Sequence, residues 1–386
     1  MDFELPGPDD PRRVEVREWL AANPKPTGME LARAGYVVPH WPAPWGKDAD
    51  PVHQLIIDEE LRRAGVSRPG NPIGIGWAGP TIVHAGTQAQ KDRYLWPLLA
   101  GEEIWCQLFS EPGAGSDLAN LGTRAIKDGD TYVVSGQKIW TSLGHVAKFG
   151  ILIARTNPDA PKHKGVSYFI CPMDLPGIEV RPIIEMTGGH TFNEVFFDEV
   201  RLPAENLVGD ANEGWGLAKV TLGNERVSLS GEGALWGRGP TATDLVEEVR
   251  RGSIPGRDDR VARQRLAALH TEAEVLRLIR LRTVSAAIKG KPPGPEASVR
   301  KALADEHGQK MMGLAKDLAG ARGMLNEPPG MWHYGFLFAP ALTVGGGTSE
   351  VQRNIIGERV LGLPHDIDVE AGQTWSEART KGGRAS

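Results

Sequence analysis

Cysteine is nearly absent from this chain of 386 residues: Cys106 and Cys171 are the only two. Two thiols make no disulfide framework, and a reducing cytoplasm is the expected compartment. Long apolar runs are absent too. No stretch approaches the roughly 20 consecutive apolar residues that span a bilayer, so no membrane partner is expected. The opening segment MDFELPGPDDPRRVEVREWL is acidic and lacks the apolar centre of a secretory signal. Neither sign of charge dominates: 44 Lys and Arg stand against 49 Asp and Glu, a net of −5. That balance gives no reason to expect nucleic acid. Internal repeats are missing. His307 follows Asp305 and Glu306, but no second ligand set stands at metal spacing. A solvated helix face is expected there, and no metal.

What is present is an ordinary globular composition, 40% hydrophobic and 24% charged. The length is too great for one simple core and predicts two or three domains. Residues 1–103 read as helices between proline-rich loops. PVHQLIIDEELRRAG places Leu55, Ile56, Glu59 and Leu61 at helical spacing and stops at Gly65. TQAQKDRYLWPLLAG has Thr87 to cap its start and Gly101 to end it. The glycines of GNPIGIGWAGP, between these two, predict a loop or bent segment. Residues 104–206 hold short runs of valine, isoleucine and aromatics between turn residues, as in DTYVVSGQKIW, FGILIART and NEVFFDEVRLP. This is the pattern of a β-sandwich or barrel. Residues 207–386 return to helix, in runs near 214–236, 259–289, 296–325 and 349–361. Ser349 and Gln352 read as a capping box for the last run, with Gly362 and Pro364 as its stop. The tail EARTKGGRAS reads as polar and frayed. The fold class is α+β with segregated parts.

Three segments carry chemistry. WCQLFSEPGAGSD turns on Pro112, Gly113 and Gly115 and displays Ser110 and Ser116. By itself it reads equally as a loop with two surface hydroxyls. GQKIWTSLG ends a strand with Trp140, Thr141 and Ser142. The indole could stack on a flat ring while the hydroxyls donate to it, or it could be a core tryptophan. In TVGGGTSEVQRNIIGERVLG three glycines lead into Thr348 and Ser349, and no side chain before Glu350 can move a proton. Glycines let a bulky ligand approach the backbone, and the helix start beyond them favours polar or anionic groups.

Six segments, SEPGAGSD, GQKIWTS, NEVFFDEVRLPAENLVG, EGWGLAK, EASVRKALADE and GGTSEVQRNIIGERVLG, stand in this order along the chain. Together they resemble the acyl-CoA dehydrogenase family, over nearly the whole length. The resemblance implies an N-terminal helical domain, a middle β domain and a C-terminal four-helix bundle, with FAD between the last two. By motif position, Ser110 and Ser116 would lie beside the isoalloxazine and the thioester. Trp140 would pack on the flavin, with Ser142 near its reactive edge. Thr348 and Glu350 would meet the FAD of the same or a neighbouring subunit, and Gln264 matches a glutamine of the family's FAD site. The implied reaction is α,β-dehydrogenation of an acyl-CoA thioester to the trans-2-enoyl-CoA. A carboxylate takes the α proton while the β hydrogen leaves as hydride to flavin N5. The carbonyl oxygen needs hydrogen bonds, and the base needs a nearly dry site. The implied partners are the acyl-CoA, electron-transfer flavoprotein as electron acceptor, and further subunits. A homodimer or homotetramer is expected, with a hetero-oligomer as the alternative.

The base is not where most of the family carries it. Most members place a glutamate just before the Gly-Thr of the last loop, and here that position is Gly346. A minority, including the isovaleryl and long-chain enzymes, carry it on the first helix of the bundle, directly before an arginine. TLGNERVSLS puts Glu225 before Arg226 at that position. Apolar Val220, Leu222, Val227 and Leu229 surround it, with small Gly223, Ser228, Ser230 and Gly231 nearby. Glu225 is therefore the expected base, and an exposed helical glutamate is the alternative. Two further departures concern FAD. RRGSIPGRDDRVARQRL contains no Arg-x-x-Phe-Gly, and DLAGARG has Asp317 and Ala321 where many members have glutamine and glycine. His190 is a loop histidine without an assigned role. RLRTVSAAIKGK reads as a solvated basic face, with contact to CoA phosphates as the alternative. Three functions stay open: a catalytic dehydrogenase, a non-catalytic subunit of a mixed assembly such as some steroid-degrading relatives form, and another flavin chemistry, on a carrier-bound amino acid or a nitroalkane. Acyl length and branching are not legible, since one methylene is worth only about 1–3 kcal/mol of discrimination.

Overall fold

The structure, a computed structural model, describes residues 6–228, 233–288, 294–325 and 330–382. It divides into two compact units. The first comprises Met1–Ile183, His190–Thr221 and Val369–Ser386, and the second Ile184–Gly189 and Leu222–Asp368.

The first unit opens with helices whose ends are set by the sequence. Asp10 caps α1 (Pro11–Ala22), and Thr27 and Glu30 form a capping box on α2 (Gly28–Arg33). Asp50 caps α3 (Pro51–Arg63). The segment expected to be a loop is helical instead. Gly74–Ala78 forms a single π turn that runs directly into α4 (Gly79–Ala85). Its glycines serve close packing rather than bending. A Cβ on Gly74 would stand 2.3 Å from Asn71 Nδ2, and one on Gly79 would stand 2.3 Å from the Trp41 ring. The next helix, α5 (Gln88–Ala100), begins at the Thr87 cap and ends on Gly101 at φ +72, as the sequence predicts.

Asn71 joins these pieces. It is fully buried. Its amide donates to Leu98 O (3.0 Å) and Glu103 O (2.9 Å). Its carbonyl accepts from Gly74 N (3.3 Å) and Trp105 N (3.2 Å). All four of its hydrogen-bonding positions are used, so one side chain fixes the π turn, the end of α5 and the entry to the sheet.

The strands are β1 (Trp105–Leu108), β2 (Arg124–Asp128), β3 (Thr131–Lys138), β4 (Phe149–Arg155), β5 (Val166–Pro172), β6 (Ile178–Pro182), β7 (Asn193–Pro203) and β8 (Leu207–Val208). They form one sheet in the order β6-β7-β3-β2-β4-β5-β8, with β1 parallel to β4 on the side of this path. Strands β4 and β5 are buried almost throughout, which is why FGILIAR and VSYFICP read as largely apolar runs, with Arg155 and Ser167 as their polar members. Strands β3 and β7 alternate for most of their length, with one face on a core of Val134, Leu152, Phe169, Val195 and Phe197. Cys106 and Cys171 lie in that core as free thiols. Burial pushes Cys171 up to about 12 and Cys106 higher still.

Beyond the sheet, α6 (Gly214–Ser228) is shorter than the predicted run, and Gly233–Arg238 makes a tight turn with two bridges across it. Four of the remaining helices are α7 (Ala242–Arg251), α8 (Arg260–Ile288), α9 (Ala297–Ala319) and α10 (Met331–Phe338). Two of these were not foreseen. The signals of α7 were present: Thr241 and Asp244 form a capping box, and Gly252 ends the helix at φ +82. In α10, MWHYGFLF is apolar on every side and shows no helical period. The core of the second unit gathers Leu245, Val249, Leu266, Leu269, Met311, Met312, Leu314 and Leu342. His307 is buried rather than solvated, with Nδ1 3.1 Å from Glu272 Oε2.

Next comes α11 (Ser349–Ile355), followed by a π turn, Ile356–Val360, and a stop at Gly362 with φ +70. Its cap differs from the expected one. Thr348, not Ser349, accepts from Val351 N, and Gln352 turns inward. The tail carries a further helix, α12 (Trp375–Gly382), which belongs to the first unit. Trp375 N donates to Ala160 O (2.9 Å), and the Arg155 guanidinium lies 5.0 Å from the Trp375 ring centroid. Residues 383–386 lie outside the described part, as do residues 289–293 of the proline-rich break.

Asn71→Ala should cost about 2–4 kcal/mol, because each buried polar group left without a partner costs about 1–3 kcal/mol. A guanidinium denaturation curve with a lower midpoint and an unchanged slope is the expected result.

Candidate active site

In the first unit, the two motifs around Ser110 and Trp140 meet. Ile139 N donates to Ser110 O at 2.9 Å, which places Ser110 beside the end of β3. Trp140 follows at φ +60 with 57% of its surface exposed, its ring meeting Phe192 edge to face at 6.1 Å. The alternative of a core tryptophan is therefore excluded. Thr141 and Asn193 exchange two backbone hydrogen bonds, of 2.9 and 3.0 Å, that fix the turn. Ser142 is half-buried beside them, while Ser116 is exposed on its loop. A Cβ on Gly113 or Gly115 would meet nothing within 4 Å, so that side of the loop is open. Thr141 Oγ1 and Asn193 Oδ1 are buried without a hydrogen-bond partner. An open indole face, flanking serine hydroxyls and polar atoms awaiting partners fit a planar, hydrogen-bonding ring such as a flavin.

A buried ion pair holds these motifs together. Lys138 has no exposed surface. Its ammonium donates to Glu111 Oε1 (2.8 Å) and to Phe109 O (2.9 Å). Glu111 also accepts from Gly122 N (2.7 Å) and Thr123 N (2.9 Å). Burial pushes the Glu111 carboxyl up, but Lys138 and these donors outweigh it, so the carboxyl sits below its ordinary value of 4.5. Glu111 belongs to SEPGAGSD and Lys138 to GQKIWTS. Neither residue is among those that the motifs single out. The available signal was the position of Lys138, two residues on from Gly136 on a face of β3 whose other members are apolar.

In the second unit, Glu225 lies on α6 with only 7% exposed, so the alternative of an exposed helical glutamate does not hold. Two residues before it, a Cβ on Gly223 would meet open space. Residues 229–232, with Leu229, Ser230 and Gly231, lie outside the described part, as do the side chains of Arg226, Val227 and Ser228. Gln264 is exposed on α8. Asp317 pairs at the surface with Arg265, 2.7 Å away. Arg280 and Arg282 are exposed, while Lys289 and Lys291 of the basic stretch lie outside the described residues.

The glycine loop is more constrained than its sequence suggests. Gly346 and Gly347 have φ of +67 and +89. Lys301, buried on α9, donates to Asp305 Oδ2 (2.5 Å), Gly347 O (2.9 Å) and Leu342 O (3.3 Å). Gln352 Nε2 donates to Gly346 O (3.0 Å) and Gly347 O (3.3 Å). Burial pushes Asp305 up to about 6, against the pull of Lys301. Glu350 points to solvent, 76% exposed. Its own backbone N–H and the Thr348 hydroxyl hold its carboxyl below the ordinary value. Such a group is a weak base and a good hydrogen-bond acceptor. Among the described residues, no group of three or more His, Cys, Asp or Glu could hold a metal, and no helix is long and apolar enough to cross a membrane.

Comparison with known proteins agrees with this architecture. The N-terminal, middle and C-terminal domain models of acyl-CoA dehydrogenase match residues 11–102, 106–200 and 212–361. The chain belongs to the acyl-CoA dehydrogenase family of flavoprotein oxidoreductases. It is 42% identical over 349 residues to acyl-CoA dehydrogenase FadE34 of Mycobacterium tuberculosis, a match covering 90% of this chain and 48% of FadE34. The chain thus spans about half the length of that curated relative. Among solved structures it is similar to the ChsE4–ChsE5 complex from Mycobacterium tuberculosis, with TM-score 0.77, 33% identity, and coverage of 95% of this chain and 100% of that one. It is similar also to the Tcur3481–Tcur3483 steroid ACAD, with TM-score 0.77, 30% identity and the same coverage.

Lys138→Met should destabilise the fold by about 3–5 kcal/mol, because it strands the Glu111 carboxylate in the interior. Lys138→Met with Glu111→Gln should cost less than the single change, which denaturation midpoints would show. The acid dependence has a definite sign. Folding lowers the proton affinity of Glu111, so its stabilisation is present above pH 4.5 and is lost as pH falls through the lower folded value.

Proposed function

We propose that the chain catalyses FAD-dependent α,β-dehydrogenation of an acyl-CoA thioester to the trans-2-enoyl-CoA, with Glu225 as the base for the α proton. The observation that carries this reading is the burial of Glu225 on α6, set against Gly346, which offers no side chain and sits at φ +67. Dry surroundings favour a carboxylate that accepts a proton over one that stays ionised in water. Glu350 suits the task poorly, being exposed and held below its ordinary value.

FAD, when bound, supplies the hydride acceptor. Trp140 offers an exposed face on which a bound flavin would rest. Ser110, Ser116 and Ser142 would donate hydrogen bonds to the flavin and the thioester, and Thr348, Glu350 and Gln264 would be further polar contacts of a bound FAD. Electron-transfer flavoprotein is the expected acceptor of the electrons. A bulky acyl group, of the steroid side-chain class, is the proposed substrate. Support comes from the likeness to a steroid ACAD and from the open space at Gly223. The free, buried thiols of Cys106 and Cys171 suit a reducing cytoplasm.

A second reading is a subunit of a mixed assembly, favoured by two similar structures whose names join two different proteins. Mixing separates the two. A chain that loses flavin absorbance with an acyl-CoA only after a second subunit is added supports the mixed assembly.

The test of the base is anaerobic flavin reduction with a panel of acyl-CoA esters. Glu225→Gln should retain fold and flavin and lose about 10²–10⁴-fold in reduction rate. Adding Gly346→Glu should restore only part of it, since a left-handed backbone costs an L side chain about 1–2 kcal/mol. Reduction by Glu225→Gln at the parent rate would remove Glu225 from the mechanism.

A further inference from the structure

The glycine loop carries Thr348 and Glu350, yet its own sequence gives it no stiffness. Glycine loses more backbone freedom on ordering than any other residue, and three stand here in succession. We propose that Lys301 and Gln352 are positioning residues that hold this loop by its carbonyl oxygens, in the conformation that presents Thr348 and Glu350 to the flavin. The inference rests on the function proposed above.

The geometry accounts for every donor involved. An ammonium has three N–H groups, and those of Lys301 end on Asp305 Oδ2, Leu342 O and Gly347 O. The amide of Gln352 reaches Gly346 O and Gly347 O. Both side chains are buried, Gln352 completely. The loop is thus gripped before its glycines, at Leu342, and again at Gly346 and Gly347. Its far end is closed by the Thr348 hydroxyl accepting from Val351 N.

Nothing about α9 by itself requires this pair. A lysine and an aspartate four residues apart make an ordinary surface pair on many helices. Turned inward they must shed their water, and a well-packed apolar pair of similar volume serves packing as well or better. What an apolar pair cannot do is donate to loop carbonyls. Asp305 acts as the counter-charge that lets an ammonium remain at that depth. Charge-assisted donors are also stronger than neutral ones, which suits a chain segment with so much freedom to restrain.

The test compares three proteins as apo-protein reconstituted with FAD: the parent, Gln352→Met, and Lys301→Met combined with Asp305→Asn. Gln352→Met keeps the side-chain volume and leaves the ion pair intact. The double variant removes both charges together, so neither is stranded. Each variant should bind FAD at least about tenfold more weakly than the parent by flavin fluorescence titration. Gln352→Met should do so with the melting temperature of its apo form within a few degrees of the parent. At saturating FAD the turnover with an acyl-CoA should fall less than the affinity does. A purely structural role would shift melting and leave FAD affinity alone. FAD affinities within about twofold of the parent in both variants would overturn the proposal. If the double variant fails to fold, the same result in Gln352→Met suffices to overturn it. A parent that takes up no FAD defeats the proposed function itself, a failure distinct from loss of binding in the variants alone.

Discussion

A lysine with no exposed atom must be given back, inside the protein, what water supplied outside. Lys138 receives it from Glu111 and from the carbonyl of Phe109, and the rest of the candidate flavin face depends on that exchange. Glu111 in turn gathers the N–H groups of Gly122 and Thr123. One ion pair therefore fixes the serine loop, the chain just beyond it and the strand end that carries Trp140. An exposed tryptophan is a useful platform only if its backbone does not move. Here the indole faces solvent while the residue two positions earlier is anchored in the interior. Cutting either charge would leave the other in a medium that tolerates it poorly.

The second unit uses the same solution on other elements. Lys301 and Asp305 sit one turn apart on α9, and the ammonium continues to the carbonyls of the glycine loop. In both units a buried lysine lies behind a segment rich in glycine, and in both its carboxylate partner is itself desolvated. The two pairs differ in balance. Glu111 has backbone donors besides its lysine and is held below its ordinary value. For Asp305 burial outweighs the pull of Lys301 and pushes the carboxyl up to about 6.

How much of this was legible depended on the range of the interaction involved. Caps are local, and Thr87, Gly101 and Gly362 behave as their neighbours in sequence predict. Strand runs in the middle of the chain were legible because full burial of β4 and β5 leaves an unmistakable apolar signature. The glycines of GNPIGIGWAGP misled because they answer to Trp41 and Asn71, the first of them more than thirty residues away. Similarly Ser349 fits a local capping box, but Gln352 is drawn inward to the loop carbonyls, and the cap passes to Thr348. His307 reads as a solvated residue until Glu272 on α8 is placed beside it. Glu225 is proposed as the base through the glycine at position 346 together with the family pattern. Its burial on α6 is what a base requires, although composition alone would have left it on the surface.

The docked tail gives the molecule a property of a mechanical kind. The chain leaves the first unit after Thr221 and returns to it at Val369, ending with Trp375 under the Arg155 guanidinium. Apart from the short piece Ile184–Gly189, the helical unit is therefore an insertion closed at both ends on one scaffold. Tension applied between residues near the start and finish of the described chain would pass through the first unit alone. The stretch from Leu222 to Asp368 would bear no load until Trp375 and its neighbours had been pulled from their seat.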